Sequence, residues 1–284
     1  MRKLDLPPCG PMSTREEPDK QGCRNGISYT SHFPEDEHLI GRFPVDLEEV
    51  AIGMISGRTE LFDIAHDTVL RYARKGVLIQ ARGKCPCSFR AAFRKLRATH
   101  PHAKWYYVGD EDVIINLAGL TKALSMYDPS EPTLVAANGC RVICDVCDTC
   151  PHMLMQNGAL NVYGFHGGLG QILSAGLLKA TEQGLEAACA TKLRGGDLED
   201  TCHLARAWRP SFRFAKLNVT RVDFATFADG PPDFVVAHHL CAEHVRRLAH
   251  VNRHLQAVNP ELLAMPNSVN DGCEEEEAAA KEAW

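Results

Sequence analysis

KWYYVGDEDVIINL, residues 104–117, sets an apolar, aromatic run against three consecutive acidic residues, Asp110, Glu111 and Asp112. Apolar chain resumes at once with Val113, Ile114 and Ile115. KWYYVG (104–109) reads as a strand. In α/β sheets, ligands bind beyond the carboxyl ends of strands. Three carboxylates there repel one another and are costly to bury without a cation. Hard divalent cations take oxygen ligands, so Mg²⁺ or Mn²⁺ suits the triplet and could in turn hold a diphosphate. Spacing alone also admits a solvated turn carrying a charge run; the apolar flanks on both sides weigh against it.

Outward from this stretch, strand and helix patterns alternate. Upstream, VAIGMI (50–55) is a β-branched apolar run that reads as a buried strand. ELFDIAHDTVLRYARK (60–75) has helical apolar spacing, and GVLIQA (76–81) reads as a second strand. SFRAAFRKLRATH (88–100) is a basic amphipathic helix. Downstream, NLAGLTKALSMY (116–127) reads as a helix and PTLVAA (132–137) as a further strand. Strands separated by helices of this length imply parallel pairing and an α/β layered fold.

The chain has 284 residues, 45% of them apolar, enough for one large domain or two small ones with a real core. A formal net charge of -5 gives no sign of a nucleic-acid partner or of an anionic membrane surface. No apolar run of transmembrane length is present, and the N-terminus lacks the apolar core of a signal peptide. Residues 1–46, rich in proline and charge, read as a stem or tail. Residues 47–258 read as the catalytic domain, and 259–284 as an acidic tail.

HPHAKWYYVGDEDVIINLAGLTKAL (100–124) resembles the core of the fringe-like and β1,3-galactosyltransferase-like enzymes, glycosyltransferase family 31, through Lys104, Trp105, Asp110, Asp112, Asn116 and Leu117. Three later blocks follow in the order of that family. YGFHGGLGQILSAGLLKA (163–180) is similar to its Gly-rich loop, strand and helix, with Gly167, Gly168 and Gly170 on the glycines and Leu169 in place of a small residue. GGDLEDTCHLARAW (195–208) resembles its acidic motif opening a helix, carried by Glu199 and Asp200, although Leu204 stands where a glycine is usual. DFVVAHHLCAEH (233–244) resembles its C-terminal strand and metal-binding histidine; His239 is the first choice and His238 the alternate. Adjacent strand residues point to opposite faces, so only one of the two can serve. The first strand and its loop resemble the nucleotide-contacting region, with Ser56 and Arg58 as candidate UDP contacts. Ala81-Arg82-Gly83 stands where the family often has an acidic residue.

The resemblance implies a nucleotide-diphospho-sugar transferase fold of the GT-A type, a mostly parallel central sheet flanked by helices. It implies transfer of a hexose or N-acetylhexosamine from a UDP-sugar to an acceptor hydroxyl of a glycan or glycoprotein. The reaction would invert the anomeric carbon and form a β1,3 linkage. Asp112 would bind Mn²⁺ (or Mg²⁺), helped by His239. Asp110 would reach the metal through water or contact the donor's ribose or sugar, and Glu111 would fill the space between. The glycines would approach the donor, and Asp200 would be the general base that takes the acceptor's proton. A secretory-pathway lumen such as the Golgi follows from the same resemblance. Two other readings use the same residues: a transferase fold without activity that acts as a binding module, and a different metal-dependent phosphate-ester enzyme.

The chain has 12 cysteines. Cys140, Cys144, Cys147 and Cys150 fall within eleven residues, which admits disulfides, zinc or free thiols. Cys189 and Cys202 flank the acidic motif, where family members often form a disulfide.

Overall fold

The computed structural model describes residues 26–56, 65, 67–80, 88–110, 112–137, 142–143, 155–156, 159–162, 169–180, 212–223, 234–238 and 240–258. Its strands are, in chain order, β1 (Gly26–Ser31), β2 (Val50–Ser56), β3 (Lys75–Gln80), β4 (Trp105–Asp110), β5 (Val113–Ile115) and β6 (Thr133–Ala137). They continue with β7 (Val142–Ile143), β8 (Met155–Gln156), β9 (Ala159–Val162), β10 (Gln171–Ser174), β11 (Arg213–Asp223) and β12 (Val236–His238). The helices are α1 (Ser88–Thr99), α2 (Leu117–Leu124) and α3 (Ala242–Leu248), and residues 175–180 are also helical.

Among the described residues nine strands form one sheet in the order β3-β2-β4-β10-β6-β11-β1-β12-β5, and β7-β9-β8 form a second, small sheet. In the large sheet, β2 runs parallel to β3 and β4, and β6 parallel to β11. The other five pairings are antiparallel: β4 with β10, β10 with β6, β11 with β1, β1 with β12, and β12 with β5. The expectation of a mostly parallel sheet is corrected to a mixed one. Helix-length connections do produce the parallel core around β2. β10, however, enters between β4 and β6 in reverse, and the strands from the two chain ends pair antiparallel at one side.

The order forces curvature. β4 is third and β5 ninth, a separation of about 29 Å in a flat sheet at ~4.8 Å per strand. In sequence only Glu111 and Asp112 stand between Asp110, the end of β4, and Val113, the start of β5. Three residue steps reach about 11 Å at most. The sheet must therefore curl until its β12–β5 edge meets the end of β4. The acidic triplet is the join.

One face of β4 looks into the main core. Trp105 and Tyr107 of β4 share it with Ile52, Ile172, Val135 and Leu217, and with Leu117, Leu120, Leu124, Val245 and Leu248 from α2 and α3. Successive strand residues face opposite ways, so Tyr106 and Val108 point to the other side, where α1 packs against β2 and β4. There the Tyr106 hydroxyl donates to the His100 carbonyl at 2.9 Å, and Arg97 donates to the Leu178 carbonyl at 3.2 Å. Burial on both faces explains why β2 and β4 read as unbroken apolar runs rather than alternating ones.

α2 begins where it does because Asn116 caps it, its side chain accepting from the Gly119 N–H at 3.2 Å. Fully buried Asn252 adds a second restraint. Its Oδ1 accepts from the Leu117 N–H at 3.0 Å, and its Nδ2 donates to the Thr68 and Ile115 carbonyls at 2.8 Å each.

Two expectations change along the chain. Residues 26–46 are not a tail: β1 lies inside the sheet between β11 and β12, and Leu39, Ile40 and Val45 pack on the core. The helix expected over 60–75 is helical at 65 and 67–68, tightens into a 3₁₀ turn at Leu70–Tyr72, and gives way to β3 at Lys75. Lys75 and Gly76 are already paired with Ala51 and Ile52, and that pairing overrides helical spacing. No helix among the described residues is long and apolar enough to cross a membrane. The acidic tail at 259–284, the four-cysteine cluster, Cys189 and Cys202 lie outside the described residues.

Candidate active site

Asp110 is the last residue of β4 and is half-buried. Its ladder partner is Ile55, so Ser56, the last residue of β2, ends at the same edge of the sheet. Asp112 occupies the turn into β5. That turn is fixed from across the sheet, because the Leu240 N–H donates to the Asp112 carbonyl at 3.1 Å and His238 pairs in register with Val113. The result places His238 Nε2 3.4 Å from Asp112 Oδ1. Both side chains are largely shielded, with 9% and 20% of their surface exposed, so the pair is screened less than a surface pair would be.

The Gly-rich segment reaches the same place through Tyr107. This tyrosine is fully buried, and its hydroxyl donates to the Leu169 carbonyl at 3.4 Å, long for an O–H···O bond. Gly170 has φ +78°, a left-handed conformation that favours glycine. A Cβ on Gly170 would lie 2.3 Å from the Tyr107 hydroxyl oxygen, and one on Gly109 would also lie 2.3 Å from it. The phenol thus fills a slot lined by two glycines, one from each of two motifs. Burial pushes the Tyr107 phenol far up, and the charges of Asp110 and Asp112 push it further in the same direction.

Asp110, Asp112, His238, Gly170 and the end of β2 at Ser56 are therefore brought to one end of the curled sheet. Arg58, Glu111, Gly167, Gly168, Glu199, Asp200 and His239 lie outside the described residues. Lys104, Asn116 and Leu117, which carry part of the sequence resemblance, have structural duties here. Lys104 pairs with Glu49, Asn116 caps α2, and Leu117 is core.

Two residues at the site gave no signal as site residues in the sequence. Tyr107 is one; an aromatic two places before a strand glycine is the pattern that marks it, since both lie on one face. Gln171 is the other. It is fully buried on β10 opposite Val108 and Ala136, and neither Oε1 nor Nε2 has a hydrogen-bond partner among the described residues. By alternation it shares its face of the sheet with Asp110.

The donor set can be weighed against a divalent cation. Metal–ligand bonds of about 2.0–2.2 Å put neighbouring ligand atoms roughly 3 Å apart. The carboxylate oxygen and imidazole nitrogen at 3.4 Å are close to that spacing, and an O/N pair suits Mn²⁺. They make two ligands; no group of three His, Cys, Asp or Glu side chains is gathered for a metal among the described residues.

Comparison with protein-family models finds no match, and comparison with curated proteins finds none. Among solved structures, the chain is similar to a glycosyltransferase involved in the glycosylation of the major capsid of PBCV-1. The TM-score is 0.37 and the identity 13%, over 72% of this chain and 99% of that one. It is also similar to the inositol-1-phosphate CTP transferase from T. maritima, with TM-score 0.34 and 10% identity over 76% of this chain and 99% of that one. These neighbours are distant glycosyltransferase and nucleotidyltransferase folds, and at such scores they carry no argument about this chain's chemistry.

Proposed function

We propose that the chain is a glycosyltransferase of the GT-A type that moves a hexose or N-acetylhexosamine from a UDP-sugar to a hydroxyl of a glycan or glycoprotein. The observation that carries this reading is convergence. Three blocks far apart in sequence, the acidic triplet, the Gly-rich segment and the late histidine strand, meet at one sheet end through the Asp112–His238 and Tyr107–Gly170 contacts. Inversion at the anomeric carbon and a β1,3 linkage come from the family resemblance.

In this reading Asp112 and His238 hold a Mn²⁺ or Mg²⁺ ion, with Asp110 and Glu111 beside it and His239 as the other candidate histidine. When bound, the cation supplies Lewis-acid neutralisation of the diphosphate. Ser56 and Arg58 contact the nucleotide, Gly167, Gly168 and Gly170 let the backbone approach the donor, and Asp200 takes the proton of the acceptor hydroxyl. A base in that position contributes about 10²–10⁴ in rate. A secretory-pathway lumen fits the disulfide-bonded state of Cys241, because disulfides persist in oxidising compartments.

The test is UDP release from a panel of UDP-sugars, with Mn²⁺, with Mg²⁺ and with chelator, for wild type and Asp200→Asn. The expected result is cation-dependent release with one donor, largely abolished in the variant while UDP–Mn²⁺ binding persists. UDP–Mn²⁺ binding without turnover of any donor would leave a binding module. No UDP binding at all, together with cleavage of another phosphate ester, would replace the reading with a different metal-dependent enzyme.

A further inference from the structure

The end of β4 and the Gly-rich segment are separate in sequence; beyond the β4–β10 ladder that begins at Val108 and Gln171, one side chain of β4 meets the residues just before β10. Tyr107 is fully buried, and its hydroxyl oxygen is the atom nearest to where a Cβ would stand on both Gly109 and Gly170. Neither position tolerates a side chain while the phenol is present. Gly170 must also keep its left-handed conformation, and the next residue, Gln171, opens β10 directly against Val108 of β4. The hydroxyl reaches the carbonyl of Leu169, the residue before Gly170. A ring of this size between two glycines restores contacts that glycine lacks on a strand.

We propose that Tyr107 is a positioning residue of the site: its phenol sets where Leu169 and Gly170 lie relative to Asp110 and Asp112. It touches no substrate in this scheme. It acts through the backbone of the Gly-rich segment, and the electrostatic influence of both aspartates on the phenol agrees with that closeness. The functional consequence, weaker donor binding when the segment shifts, rests on the transferase reading; the structural role does not.

The matched pair Tyr107→Phe and Tyr106→Phe separates local from general effects. Tyr106 is the neighbouring β4 residue, and its hydroxyl makes a shorter bond, to the His100 carbonyl on the opposite face. Amide hydrogen exchange is followed by peptide in both variants, and UDP–Mn²⁺ affinity and the donor KM and kcat are measured alongside. In Tyr107→Phe the amides of Leu169, Gly170 and Gln171 are expected to exchange about threefold faster than in wild type, the size of a weak hydrogen bond. The other β4 and β2 amides should be unchanged. Donor KM and the UDP–Mn²⁺ Kd should rise by a similar factor while kcat holds, and Tyr106→Phe should show none of these changes. The proposal fails if exchange at 169–171 is unchanged, if it rises only in step with the whole sheet, if Tyr106→Phe matches it, or if Tyr107→Phe does not fold. Absence of UDP binding in wild type would remove the transferase reading, and the exchange data would still decide the role of Tyr107.

Discussion

His238 Nε2 stands 3.4 Å from Asp112 Oδ1, although more than a hundred positions of sequence separate the two residues. The pairing of β12 with β5 brings them together, and with it an imidazole and a carboxylate that could share a cation.

Loss of either partner should remove cation binding. Asp112→Asn and His238→Ala are expected to weaken Mn²⁺ binding and cation-dependent UDP release by at least about 10²-fold, since even supporting partners of metal ligands cost 10–100-fold. His239→Ala should do less. Mn²⁺ titration followed by electron paramagnetic resonance ranks the three variants, and a larger effect at His239 would reverse the assignment of the histidine.

Asn252 is expected to be among the costliest single polar residues to lose. Its amide serves three backbone groups on α2, β5 and the helical turn before Leu70. Asn252→Ala leaves those groups buried without that partner, and a cost of about 2–4 kcal/mol follows. Urea denaturation gives the value directly, and a change below about 1 kcal/mol would contradict it.

Gln171 predicts the opposite sign. A buried amide with no partner among the described residues costs stability, so the near-isosteric Gln171→Met should stabilise the fold by about 1 kcal/mol. If the amide serves a ligand at the Asp110 face, the same variant should bind UDP–Mn²⁺ more weakly. Thermal unfolding and nucleotide titration of one preparation test both halves.

His100 ties stability to pH. Burial, and then the positive charge of Lys75, hold its imidazole below the usual histidine range. The unfolded chain therefore binds a proton at a higher pH than the folded one does. This contribution is present above about pH 6.5, the unfolded value, and is lost as pH falls from there through the folded value. Comparing urea midpoints at about pH 7.5 and about pH 5.5 should show a smaller acid loss in His100→Gln than in wild type.

Much of the parallel core was legible in the sequence, because β2, β3, β4 and β6 are short apolar runs separated by helix-length segments. The observed strands begin and end within a residue or so of VAIGMI, GVLIQA, KWYYVG and PTLVAA. The candidate site could be read as a set of motifs, but the way the fold arranges the described ones could not. Which histidine faces Asp112 depends on the register of β12 against β5, which no local pattern encodes. β11 does carry a period-2 signal, with Ala215 and Leu217 buried and Lys216 and Asn218 less so. β1 was hidden differently. Ile27 and Tyr29 alternate with polar residues as a half-buried strand should, but proline-rich and charged flanks mask them, and every ladder partner of β1 lies near the other end of the chain.

That last arrangement sets a timetable. Thr30 bonds to Val236 across 206 positions of sequence, and β1 has ladders only to β11 and β12 among the described strands. As the chain leaves the ribosome, β1 must wait, exposed and unpaired, until nearly the whole fold has been synthesised. Only then can it join the two halves of the sheet and bring His238 toward Asp112. Contacts of such long range form slowly. The Asp112–His238 contact would therefore be among the last parts of the molecule to form, well after the parallel pairing of β2 with β3 and β4.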